Sequence, residues 1–86
     1  MPYIEPIERK QFEAVLDELL PKLTLDKPGD VVYVLYAIII RLWNRKHKFN
    51  SINTVRGILW STLTEFDRRE ASVYEDKKIQ ENGDVA

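Results

Sequence analysis

The first residues to consider for chemistry are the acids between positions 65 and 70. Glu65 and Arg69 stand four apart in the order that favours an ion pair on a helix, and Asp67 and Glu70 stand three apart. Paired carboxylates on helices hold magnesium when a second acidic helix faces them, but the apolar segment that would face these has no acid after Asp30. They read as solvated salt bridges. His47, the one histidine, lies among Arg45, Lys46 and Lys48, where neighbouring positive charge discourages a metal ion, so it reads as a surface residue. Ser51 and Ser61 have no other histidine to act as a base, and Gly29, Gly57 and Gly83 lie too far apart for a phosphate loop. No catalytic residue, metal ligand or cofactor is expected. Magnesium-dependent hydrolysis of nucleoside triphosphates is the weakest reading of the chain.

Binding residues are easier to nominate. The chain carries 13 bases and 14 acids, but unevenly. Residues 1–40 hold seven acids against four bases and residues 57–86 repeat that balance, while Arg41, Arg45, Lys46, Lys48 and Arg56 between them meet no acid. Such a segment attracts phosphate or an acidic partner. The same cations are also what a helix C-terminus favours, by about 0.3–1 kcal/mol each. Candidate ligand or partner contacts are Arg41, Arg45, Lys48, Arg56 and Arg69, whose guanidinium forks among them suit phosphate and carboxylate, with Tyr33, Tyr36 and Trp43 for stacking or interface contacts.

These side chains need elements to hold them. Phe12, Val15, Leu16, Leu19, Leu20 and Leu23 form one helical stripe, so a first helix is expected over about 7–20, with Pro6 in its first turn and Pro21 at its end. Thr24 to Gly29 is a connector. A second helix over about 30–46 takes Asp30 as N-cap or first-turn acid and carries the stripe Val31, Val34, Leu35, Ile38, Ile39 and Leu42. Its β-branched run Ile38-Ile39-Ile40 suits a strand, but seventeen helically spaced residues without internal Gly or Pro exceed strand length. Val32, Tyr36, Ile40 and Trp43 leave this helix almost no polar face, so it must be covered by its neighbours and by a second chain.

A third helix over about 51–74, capped by Asn50 or Ser51, lines Ile52, Val55, Leu59, Leu63 and Phe66 along one face. Gly57 inside it points to close packing on helix two. The stripe projects on to Glu70 and Val73 with Arg69 beside it. Charge at the edge of a core must be paired, so Glu65, Arg69 and Glu70 are expected to form a polar network at a subunit contact or ligand site. Residues 75–86 form a short tail in which Asn82-Gly83 marks either a helix cap or an exposed turn.

At 86 residues and 44% hydrophobic composition this is one all-α domain, a self-associating three-helix bundle. The longest apolar run, Val31 to Ile40, is about half of the roughly 20 residues a bilayer requires. The opening Met1-Pro2-Tyr3-Ile4-Glu5-Pro6 lacks the order of a secretory leader, so a cytoplasmic location is expected. Without cysteine, disulfides and thiolate chemistry are excluded. Helix two, its turn and helix three also permit a helix-turn-helix. Ser51 to Trp60 would then enter a DNA groove, but only Asn53 and Arg56 stand out there as base readers, among Ile52, Val55, Ile58, Leu59 and Trp60.

Met1-Pro2-Tyr3-Ile4, Pro28-Gly29-Asp30, Glu65-Phe66-x-Arg68-Arg69 and the closing run Tyr74-Glu75-Asp76-Lys77-Lys78-Ile79-x-Glu81-Asn82-Gly83-Asp84-Val85 together resemble a family of small proteins of tailed bacteriophages and prophages. The likeness covers both ends and most of the length. Pro21 and Asp67, the latter at a position where an aromatic is expected, depart from it. The family has no assigned activity, so the resemblance implies a viral or prophage origin and action inside a host cell. The expectation is a non-enzymatic accessory protein that binds a host protein or a small anionic, nucleotide-like ligand as a helical oligomer, with nucleic-acid binding as the alternative.

Overall fold

In the computed structural model, which describes residues 4–46 and 48–84, the chain is all-α. Three helical runs follow in order and no strand occurs among the described residues. Two locally organised units divide the chain, Met1–Arg41 and Leu42–Ala86.

The first unit opens with α1, Pro6–Leu19, and the expected proline stands in its first turn. The Glu8 N–H donates to the Glu5 carbonyl at 2.9 Å, and the Glu5 N–H donates to Glu8 Oε2 at 3.3 Å, so two donors at the helix start are satisfied by adjacent residues. Pro21 ends the helix as its chemistry requires. The Leu20 N–H still reaches the Leu16 carbonyl, but Pro21 has no N–H to continue the series, and Leu20–Lys22 tightens into a 3₁₀ turn. The Thr24 hydroxyl then accepts the Asp26 N–H at 3.2 Å, and its carbonyl accepts the Lys27 N–H at 3.2 Å, forming a turn.

Helix α2 runs Pro28–Arg45 and begins two residues before the predicted start. Pro28 supplies a φ already suited to the first turn, which makes Asp30 a first-turn acid and not the N-cap. The β-branched run stays helical.

In the second unit, helix α3 spans Phe49–Phe66. Its N-cap is Lys48, extended at φ −131°, whose carbonyl accepts the Ser51 N–H at 2.9 Å. The backbone therefore starts the helix before Asn50 and Ser51 can cap it, and no side chain caps it. A π-helical segment follows at Asp67–Ala71, marked by the Ser72 N–H donating to the carbonyl of Asp67 five residues back. Helix α4, Ser72–Asn82, continues directly, with right-handed helical dihedrals at Phe66, Asp67, Ala71 and Ser72. The third helix thus extends well past residue 74, and most of the expected tail is helix. Gly83, at φ 81° and ψ 154°, closes it and donates its N–H to the Ile79 carbonyl at 2.8 Å.

A Cβ built on Gly57 meets no atom within 4 Å. Among the described residues none is buried, and Tyr33, Leu35 and Tyr36 are all more than half exposed.

Candidate functional site

The long helical run α3–π–α4 carries two shallow hollows. Both are largely apolar, and each is marked by charge of one sign. Arg56, Leu59, Trp60 and Leu63 line the first, of about 380 Å³. Spacings of three and four residues bring these four side chains onto neighbouring turns of α3. Phe66, Glu70, Ala71, Tyr74 and Glu75 line the second, of about 400 Å³. The π segment shapes it. One extra residue in the turn delays the helical phase, so Tyr74 joins Phe66 where a plain α-helix would bring Val73. The projected stripe is corrected there. Phe66 remains 59% exposed and Trp60 69% exposed, so these aromatic surfaces are available to another molecule.

Between the hollows, Glu65 is the anchor of a charged cluster. Its Oε1 accepts from Arg68 Nη2 at 2.9 Å and lies 3.1 Å from Arg69 Nε. The expected pair is present, and Arg68 shares the same oxygen. Glu70 belongs instead to the second hollow, and neither it nor Arg56 forms an ion pair among the described residues. The proposed network of Glu65, Arg69 and Glu70 therefore divides into a local ion-paired cluster and an acid set in an apolar surface. Lys78 lies 5.6 Å over the Tyr74 ring and bonds Glu81 at 3.4 Å.

The other nominated residues are not gathered by either hollow. Tyr33 and Tyr36 are exposed on α2 and Arg41 ends the first unit. Trp43 is half-buried in the last turns of α2, while Arg45 and Lys48 are exposed at the helix end and the next N-cap. His47 lies outside the described residues. Among the described residues no group of three or more His, Asp or Glu is placed to hold a metal ion. No helix among them is long and apolar enough to cross a membrane.

Trp60, Phe66, Tyr74 and Arg68 are the site residues that the sequence did not nominate. Trp60 stands four after Arg56, which was a usable signal. The π insertion that selects Tyr74 left none.

Comparison with known families gives one result. A domain of unknown function (DUF6899) matches residues 1–85. The chain belongs to this family. The match covers α1, α2 and the whole α3–π–α4 run, so both hollows lie inside the family's domain. No curated protein and no solved structure matches the chain.

Proposed function

We propose that this DUF6899 protein is a non-enzymatic accessory factor of phage or prophage type that works by binding, as a helical oligomer, with a host protein or a small anionic ligand as its target. One observation carries the reading: the surface left open by the single chain. Within the single run α3–π–α4, Leu59, Trp60, Leu63, Phe66 and Tyr74 are 49%, 69%, 53%, 59% and 62% exposed. Hydrophobic burial is the main favourable term in folding, and a chain that is 44% hydrophobic with no buried residue among those described lacks most of it. Association supplies the missing burial.

The acid-free run from Arg41 to Arg56 supports an anionic ligand, since Arg41, Arg45, Lys48 and Arg56 are all exposed. Phage origin rests on the sequence resemblance. Sedimentation at micromolar concentration is the first test, and a multimer is expected; a monomer throughout that range overturns the reading. Thermal shift against nucleotides, cyclic nucleotides, magnesium and duplex DNA then sorts the targets. A ligand at a hundred times its Kd stabilises by about 2.7 kcal/mol. Stabilisation by duplex DNA that weakens steeply with salt would replace this reading with the helix-turn-helix one.

A further inference from the structure

The two hollows carry opposite charge, and one charged residue of each stands equally far from Leu63. Arg56 is the only charged residue of the first; Glu70 and Glu75 are the charges of the second. Arg56 stands seven residues before Leu63 and Glu70 seven after it, while Ile52 and Tyr74 stand eleven on either side. Ile52, Arg56, Leu59, Leu63, Phe66 and Glu70 are separated alternately by four and three residues, the spacing of a seam along which two helices pack.

From this we infer that the α3–π–α4 face is a self-recognition surface whose occupant is a second copy of the same chain. The two copies run antiparallel about a two-fold axis at Leu63, so that the Arg56 hollow of each receives the Glu70 hollow of the other. The inference rests on the self-association proposed above and adds its surface, orientation and register. Rotation about the axis places Leu63 on Leu63, Arg56 against Glu70 and Ile52 against Tyr74, with Leu59 one residue out of step with Phe66. A two-fold interface must be self-complementary, and a basic and an acidic residue at equal distances from one point, here Arg56 and Glu70 about Leu63, meet that requirement. Parallel pairing would set Arg56 on Arg56 and Glu70 on Glu70, which like-charge repulsion disfavours. Area permits the contact. Along the seam Leu59, Leu63 and Phe66 are 49%, 53% and 59% exposed, so each has apolar surface to give to a partner.

The test uses the full chain in two measurements. In sedimentation equilibrium, Arg56→Glu and Glu70→Arg are each expected to raise the dimer Kd at least about tenfold, and the double variant to return within about threefold of the parent. Far-UV circular dichroism checks that helix content is kept. Because the chain has no cysteine, a single introduced thiol reports proximity cleanly. Mild oxidation should cross-link Leu63→Cys to itself, and Ile52→Cys to Tyr74→Cys in a mixture. Ile52→Cys alone should stay uncoupled, since its two copies lie about 33 Å apart along the pair. A parent chain that stays monomeric removes both the self-association reading and this inference. A parent that associates while the charge variants are indifferent, or while Ile52→Cys couples to itself and not to Tyr74→Cys, overturns this surface and leaves self-association standing.

Discussion

Truncating Phe66 to alanine separates a side chain that serves its own helix from one that serves a partner. In the single chain Phe66 is 59% exposed. A phenylalanine side chain presents about 200 Å², so about 120 Å² is left for another molecule, worth about 3 kcal/mol if wholly covered. A two-fold contact covers it twice. Even if only half is covered on each copy, Phe66→Ala costs the dimer about 3 kcal/mol, which raises Kd roughly a hundredfold. Helix content should change little, because alanine is the better helix former. Sedimentation equilibrium from about 1 to 100 µM measures the first effect and far-UV circular dichroism the second. Leu25→Ala is the control. Leu25 is 88% exposed in the connector before α2 and is no part of the α3–π–α4 run, so its loss should leave Kd unchanged. A Phe66→Ala dimer as tight as the parent's, or a loss of helix as large as the loss of association, would refute the reasoning.

Three further outcomes follow from the backbone. Gly57→Ala should stabilise the chain by about 0.5–1 kcal/mol in thermal denaturation, because the added methyl meets open space and alanine favours the helix; destabilisation would mean that an assembled neighbour crowds this position. Gly83→Ala should weaken the end of α4 by about 1–3 kcal/mol, since φ 81° with ψ 154° is a region that residues with a Cβ avoid. Hydrogen exchange of the last turn would show faster exchange, and unchanged protection would argue against that cap. Deletion of Ala71 should restore plain α-helical phase with Tyr74, then seven residues after Phe66, still on the same face, and so leave association within about threefold of the parent, as read by sedimentation; a tenfold loss would mean that the widened turn itself is needed.

The helices were legible wherever composition and periodicity spoke with one voice. The stripe from Phe12 to Leu23 and the stop at Pro21 are local features, and a missing N–H acts the same way in any context. Spacing correctly overrode β-propensity at Ile38-Ile39-Ile40, because a run of this length has no room as a strand. Gly57 was not decisive, because glycine in a helix has two readings, close contact or none, and sequence alone does not separate them. The π segment was invisible for a different reason. Its signature is a bond from Ser72 to Asp67, and no residue type in Asp67–Ala71 demands it. That gap explains why part of the site was legible and part was not. Glu65 and Arg69 pair across an ordinary turn, so counting by four found them. Tyr74 joins Phe66 only across the widened turn, and counting by 3.6 led to Val73.

A charged pair on an otherwise apolar seam has a physical reason. A seam of Ile52, Leu59, Leu63 and Phe66 alone would bind its copy in several registers with similar energy, because apolar contact is nearly non-directional. Charge removes that degeneracy. Sliding one copy by seven residues in one direction puts Arg56 against Lys77 and Glu70 against Leu63; sliding it the other way puts Arg56 against Leu63 and Glu70 against Phe49. The first alternative repels and both leave charge facing hydrocarbon, which is costly once water is excluded. Only the arrangement centred on Leu63 satisfies both residues at once. A polar residue at a seam position lowers stability while fixing register and orientation, and here two of them at equal distance from one leucine would do both. The helix therefore needs no further contact to define how its copy lies. Other charged residues of the chain, among them Arg41, Arg45 and Lys48, are outside that seam and remain available for a ligand.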